Sequence, residues 1–311
     1  MLDLQKLTED QVLLLDGAMG TELFRAGLPP GHCPEAWNEE KPEAVAAVHR
    51  AYLAAGSRAI LTNSFGGNRL KLASYGLENR AYDLNFQAAR IARSLCPEGC
   101  YVGGSIGPTG KFLQPVGDLT EDRLEEAFRP QVEGLAAGGV DFLLIETQYD
   151  LREALVALRV ARESCSLPVL VTMTFQLTRR GYFTIMGLSP EAFVKAMEEE
   201  QVVACGANCT LNSEQMVGLI RIMRNLTGRP LLAQANAGQP QLDPDGSIFY
   251  NQGPEEYASF VPELIRAGAR IIGGCCGTSP AYIKKMAEII SASAENVLKG
   301  EADETGNKRT S

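Results

Sequence analysis

Two adjacent cysteines, Cys275 and Cys276, lie between glycines in the stretch GGCCGT, residues 273–278. The run Ala269-Arg270-Ile271-Ile272 precedes them and reads as a buried strand, so the pair sits where that strand ends. A third cysteine, Cys209, follows Asn208 at the end of another strand, which begins at Val202-Val203-Ala204. Three thiolates brought to one point make a good Zn2+ site, with one tetrahedral position left open. Consecutive residues on a regular strand point to opposite faces. Both sulfurs therefore face inward only if Gly274 and Gly277 let the chain turn irregularly. Two other readings of the same residues stay open: buried small hydrophobes, and a strained vicinal disulfide.

The other cysteines and the histidines carry less. Cys96 and Cys100 form a Cys-x3-Cys spacing between a helix end and the next strand, and read as structural. Cys33, Cys165 and Cys205 read the same way. His32 and His49 are the only histidines, and His49 falls within a helix as a packed or solvated residue. A histidine-based zinc hydrolase has little to work with. Glu146 could act as its general base only if no substrate amine occupied it.

Alternating elements must position these groups. Short apolar runs at 12–15, 59–62, 101–104, 140–145, 168–173, 202–204, 230–233 and 270–272 read as strands. Helical patterns lie between them at 42–55, 82–95, 120–137, from Asp150, from Ser189-Pro190, from Ser213 and at 255–267. A last helix opens at Ser279-Pro280. Asp150-x-x-Glu153 reads as a capping box. Leu53-Ala-Ala-Gly56, Leu135-Ala-Ala-Gly138 and Ile265-Arg-Ala-Gly268 read as helix ends closed by glycine. Eight strands alternating with eight helices imply an α/β fold, a single (β/α)8 TIM barrel with the zinc site at the C-terminal ends of the strands. The expected domain covers residues 1–297, followed by a polar, disordered tail over 298–311.

Each strand runs into residues that a buried strand would not choose. They include Asp16-Gly17-Ala18-Met19-Gly20-Thr21, Thr62-Asn63-Ser64, Ser105, Glu146-Thr147, Asn208-Cys209-Thr210 and Gln234-Ala235-Asn236. Polar and glycine-rich ends on one rim make a site. Composition narrows the partners. A formal charge of −9 without a Lys/Arg cluster argues against nucleic acid. No apolar run reaches membrane-spanning length, and the N-terminus lacks a signal-peptide pattern, so neither a membrane nor an export route is expected. Eight scattered cysteines fit reduced thiols in a cytoplasm.

DGAMGTEL, TNSFG, SIGPTG, the strand-end Glu146, NCT, NAG and GGCCGT occur in this order. Over about residues 10–290 the chain resembles the homocysteine S-methyltransferase family, and most of all the homocysteine-binding barrel of cobalamin-dependent methionine synthase. The resemblance implies that Cys209, Cys275 and Cys276 bind zinc. It implies that Asp16 and Glu146 face the amino group of homocysteine and that backbone N–H groups of Gly17–Thr21, including Ala18 and Gly20, receive its carboxylate. It places Asn63 at the substrate pocket and offers Asn236 as a fourth metal ligand when no thiol is bound. The implied chemistry is zinc-dependent S-methylation of homocysteine to methionine. Three cysteinates should leave the bound sulfur electron-rich. Methionine synthases continue into folate- and cobalamin-binding domains, whereas this sequence stops after the barrel. The expected donor is thus methylcobalamin or a related methylcorrinoid on a separate protein. The alternatives are S-methylmethionine as donor, or a non-catalytic zinc- or thiol-binding module for a corrinoid partner. A betaine donor would call for an aromatic cage, and the lone tryptophan, Trp37, has no obvious aromatic partners in the sequence. The segment Gly181–Gly187, with Tyr182, Phe183, Ile185 and Met186, departs from the family pattern and reads either as packing or as a reshaped acceptor pocket.

Overall fold

A computed structural model describes residues 11–242 and 248–292. The expected tail at 298–311 lies outside them. Eight strands form the barrel: β1 Leu13–Leu14, β2 Ala59–Leu61, β3 Tyr101–Ile106, β4 Phe142–Gln148, β5 Val169–Met173, β6 Ala204–Asn208, β7 Leu231–Ala235 and β8 Ala269–Gly274. All pair in parallel, in the order β1-β8-β7-β6-β5-β4-β3-β2. The remaining seam, between β1 and β2, is bridged by Arg58 N–H on Leu14 O at 2.8 Å and Leu61 N–H on the Asp16 carboxylate at 2.8 Å.

Helices cover the outside: α1 Pro42–Ala54, α2 Ala81–Leu95, α3 Glu121–Gly138, α4 Leu151–Ser164, α5 Pro190–Glu199 and α6 Ser213–Arg224. The expected helix at 255–267 is two, α7 Pro254–Ser259 and α8 Val261–Arg266, separated at Phe260 with Pro262 in the first turn of the second. A last helix runs over 280–292 of the described residues. Three capping expectations shift. Asp150 caps α4 through Arg152 N–H, but Glu153 turns away to accept Thr109 N–H at 2.7 Å. It thereby anchors the SIGPTG loop instead of completing a capping box. Asn212, not Ser213, caps α6, in a full box with Gln215. Gly138 remains helical, 2.4 Å from Ala89 Cβ were it to carry its own Cβ, and Gly139 at φ 92° ends α3. Close helix packing claims one glycine and the left-handed cap the next.

Strand alternation sorts side chains into two clusters. Leu13, Leu15, Ala59, Leu61, Phe142, Leu144, Leu170, Ala204, Leu232 and Ile271 fill the barrel interior. Residues of the other phase, such as Leu14, Ile60, Leu143, Ile145 and Val171, pack beneath the helices. Continuing the inward phase toward the strand ends gives Ser105, Glu146, Asn208, Gln234 and Cys275. Among the described residues no helix is long and apolar enough to cross a membrane.

His49 is fully buried on α1, and neither ring nitrogen has a partner. Burial lowers its pKa from 6.5 to about 4. The folded state therefore resists the proton that the unfolded chain accepts below pH 6.5, and stability falls between the two values. At about pH 5 the loss amounts to about 2 kcal/mol. His49→Leu should remove that part of the acid sensitivity, seen as a smaller change in urea midpoint between about pH 7.5 and about pH 5.

Candidate metal and thiol site

The sulfurs of Cys209, Cys275 and Cys276 lie within 4.8 Å of one another, and those of Cys209 and Cys276 are 3.8 Å apart. Sulfurs about 2.3 Å from a tetrahedral Zn2+ are about 3.8 Å apart, so the spacing fits that ion. Strand phase delivers only Cys275 inward. Cys209 stands one residue beyond the inward-facing Asn208, and a left-handed backbone at φ 64°, continued by Thr210 at φ 61°, swings it round. Cys276 follows Cys275 through a turn that needs Gly277 at φ 83°, where a Cβ would strike the Tyr250 ring at 2.3 Å. Cys275 N–H on Ala235 O at 2.8 Å and Ala237 N–H on Cys276 O at 2.9 Å hold that turn against the end of β7. The glycine-flanked irregular turn expected from GGCCGT is therefore present. All eight cysteines are unpaired, and the triad is only half-buried and mutually touching, unlike scattered core cysteines.

The electrostatics of the triad favour a cation. S–H donation from Cys275 and then Cys276 pulls the Cys209 thiol far down. The contact with Cys209 pushes Cys275 and Cys276 up. One negative charge is stabilised and a second is opposed, an opposition that a divalent ion removes. The Asn236 amide donates to Cys209, while its Oδ1 is buried without a partner. A half-turn of that amide exchanges the two ends and would bring its oxygen to the Cys209 side. Two further residues touch the triad, neither of them assigned a role from the sequence. Tyr250, on the strand Ile248–Tyr250 of a hairpin after β7, hydrogen-bonds Cys276. Asn208 Nδ2 reaches Cys275 Sγ at 3.8 Å, Glu146 Oε2 at 3.3 Å and Thr147 Oγ1 at 2.7 Å. Asn208 stood in the NCT motif as a candidate signal. Tyr250 offered none, because nothing in a hairpin's sequence says where its ring will land.

Beside the triad is a cavity of about 280 Å3. Glu146 lies at its edge, takes a hydrogen bond from Ser105 Oγ, and is pushed from 4.5 to about 7 chiefly by burial, with the Cys209 charge adding to it. Gly17, Ala18, Gly20 and Thr21 line the opposite wall, where the short helix Met19–Arg25 begins. First-turn N–H groups of a helix have no acceptor within the helix. Thr278 ties this wall to the cysteine turn, since Ala18 N–H meets Thr278 O at 3.3 Å and Thr278 Oγ1 donates to Cys275 O at 2.7 Å. Asn63 borders the cavity, but its amide is committed to Pro34 O at 2.8 Å and Asn38 Oδ1 at 3.1 Å. It holds the loops after β1 and β2 together. Asp16 lies behind the wall: Oδ2 accepts Leu61 N–H, and Oδ1 is buried without a partner. Burial raises its pKa well above the carboxylate range, Leu61 N–H opposes this, and the Glu146 charge adds to it.

Other expected features fall elsewhere. Tyr182 packs on α6, with its hydroxyl on Gln215 O at 2.9 Å, while Ile185 and Met186 are exposed; none of them lines the cavity. Cys96 and Cys100 lie between α2 and β3, at the far end of the barrel. Trp37 is buried under Lys41, whose ammonium stands 4.4 Å from the ring.

A model of the homocysteine S-methyltransferase family matches residues 13–290. Among solved structures, the metallated form of the homocysteine methyltransferase MmuM from Escherichia coli superimposes with a TM-score of 0.76 at 27% identity, covering 91% of this chain and 98% of that one. Its oxidised form gives 0.74 at 26% identity, covering 90% and 96%. The carboxyl transferase domain of Rhizobium etli pyruvate carboxylase, at 13% identity, a TM-score of 0.52 and coverage of 91% and 47%, shares the fold alone.

Asp16→Ala should leave Leu61 N–H buried without an acceptor and lower stability by about 1–3 kcal/mol. Asp16→Asn, which retains an acceptor oxygen, should restore most of it. Urea unfolding of the two variants checks this.

Proposed function

This chain belongs to the homocysteine S-methyltransferase family, and from that premise we propose that it methylates the sulfur of homocysteine to give methionine at a Zn2+ ion. The observation that carries the reading is the convergence of Cys209, Cys275 and Cys276 at a spacing that matches tetrahedral zinc, beside a cavity of amino-acid size. The metallated form of MmuM supports it. When bound, Zn2+ supplies a position that keeps the acceptor thiol, whose ordinary pKa is about 8.5, as thiolate at neutral pH.

The chain's own residues do the rest. Glu146 receives the substrate ammonium, which draws its pKa back down and fixes it as carboxylate; Asp16, behind the wall and holding Leu61 N–H, positions that wall. The N–H groups at Gly20 and Thr21 take the carboxylate, aided by the positive end of the short helix, while Ala18 N–H stays on Thr278 and fixes the wall. With both ends of the amino acid held, the side-chain sulfur reaches the triad. Asn208 links the two halves by touching Glu146 and Cys275 together, and Asn63 keeps the wall closed. Asn236 would lend its amide oxygen to the ion when no thiol is bound. In the transfer, the S–C bond forms as the methyl–carrier bond breaks, with that electron pair going to the carrier.

A methylcorrinoid on a separate protein is the donor we favour. Phe65, Phe112, Val116 and Ile185 are exposed on connections that follow strand ends, as are Phe24 on the short helix after β1 and Phe249 on the hairpin after β7. This apolar collar around the mouth suits a broad donor surface. S-Methylmethionine is the second reading, favoured by the negative charge of Glu35, which borders the cavity beside Phe65 while its oxygens accept Gly66 N–H at 2.6 Å and the Cys33 thiol at 3.3 Å. A non-catalytic thiol-binding module has no use for the amino-acid wall.

Purified protein should transfer methyl from methylcobalamin to homocysteine, and a chelator should abolish turnover until zinc is restored. Chelator-insensitive turnover would reject the metal reading, turnover only with S-methylmethionine would reject the corrinoid, and no turnover with either would leave the module. Glu146→Gln should raise the homocysteine KM by about 10–100-fold with zinc content unchanged. Asn208→Ala should weaken zinc binding by about 10–100-fold. Metal analysis and initial-rate kinetics separate these two effects.

A further inference from the structure

At the end of the barrel opposite the thiols, a crevice of about 610 Å3 opens where β6, β7 and β8 begin. Arg224 from the end of α6, Arg229 from the following loop and Arg270 from the start of β8 line it. Each guanidinium is fastened through Nη1 to backbone oxygen. Arg224 bonds Arg229 O at 3.1 Å, Arg229 bonds Val202 O, and Arg270 bonds Ile265 O at 3.1 Å and Ala269 O at 3.0 Å. One carboxylate, Glu198, lines the same crevice and is already paired with Arg229 at 3.1 Å and with the Thr227 hydroxyl. Among the described residues neither Arg224 nor Arg270 forms an ion pair. Burial and then the charge of Arg270 lower the Arg224 pKa, and Cys205 and Glu198 offset only part of that.

We propose that this crevice binds a small phosphate-bearing anion. Carbonyl anchoring sets the guanidinium planes while leaving the Nη2 donors of Arg224 and Arg270 for a ligand, so little rotamer freedom is lost on binding. Three guanidiniums against one carboxylate leave two positive charges, which a phosphate dianion matches and a single carboxylate does not. The volume lies in the range of small-ligand pockets, about 300–1,000 Å3. In a chain of net charge −9, such a positive well is a local exception and concentrates anions where the rest of the surface repels them.

The test is calorimetric titration of the whole protein with inorganic pyrophosphate, in parallel with inorganic phosphate, adenosine triphosphate and citrate, in a buffer free of multivalent anions. One saturable site per chain is expected, weakened by added chloride and tighter for the phosphate compounds than for citrate. Arg224→Gln and Arg270→Gln should each weaken pyrophosphate binding about tenfold or more, with Arg270→Lys falling between. The double variant should retain methyl transfer, because the crevice touches none of the thiol-site residues. Saturable binding that these substitutions leave unchanged would overturn the proposal, as would citrate binding as tightly as pyrophosphate. If a variant fails to fold, the wild-type melting temperature decides: a rise with pyrophosphate but not with equal ionic strength of chloride supports the site, and no rise overturns it.

Discussion

Three sulfurs that touch one another constrain the protein more than any other contact in it. Parallel strands place their side chains in a fixed phase, so a barrel delivers to its mouth only every second residue of each strand. Of the three cysteines, only Cys275 lies in the inward phase. Cys209 and Cys276 reach the same point because the backbone leaves strand geometry there: a left-handed cysteine after β6 and a glycine turn after β8. A non-glycine residue at positive φ costs about 1–3 kcal/mol. Spending that strain beside sulfurs that repel a second charge is understandable if a cation repays both, and is wasteful otherwise.

The surrounding hydrogen bonds follow from that constraint. The turn holding Cys275 and Cys276 must be rigid, and it is held from three sides: by the end of β7, by Thr278, and by Tyr257, whose hydroxyl bonds Ala235 O at 3.1 Å and Gly273 O at 3.0 Å. Tyr52 of α1 extends the bracing, with its hydroxyl 3.1 Å from Thr278 O and 3.2 Å from Ala18 O. The wall at Gly17–Thr21 is thus positioned by the same residues that position the sulfurs. Asn208 does the equivalent on the other side, joining Glu146 to Cys275. A site assembled this way fixes the distance between its amino-acid wall and its thiols, which is the quantity that thiol transfer requires.

Much of this was legible in the residue order. The eight strands, the rim of polar strand ends and the nearness of the two strand ends that carry Cys209 and the Cys275–Cys276 pair follow from hydrophobic period and parallel topology; that all three sulfurs turn inward does not. What escaped depends on three-dimensional closure. Asp16 reads as a rim carboxylate, yet one of its oxygens closes the β1–β2 seam, a role visible only once the barrel closes and brings the first and second strands side by side. Asn63 reads as a pocket polar group, but Asn38 and Pro34 take its amide. Glu153 obeys the spacing of a capping box and is drawn off by Thr109, because a buried loop N–H without an acceptor costs more than an exposed helix end does. Tyr250 arrives from an irregular hairpin whose landing point no local pattern encodes.

The two ends of β6, β7 and β8 serve different chemistry on the same three strands. Their carboxyl ends carry Cys209, Asn236 and the cysteine pair; their amino ends frame the arginine crevice. One rod of backbone therefore joins an anion-attracting end to a cation-attracting end. Close-packed strands deform little, so charge placed at one end does not easily slide them relative to one another. What an anion in the crevice can do is offset the repulsion between Arg224 and Arg270 and hold the strand starts in register. An effect on stability of the strand trio, with the thiol geometry left in place, is the physical consequence that this arrangement supports.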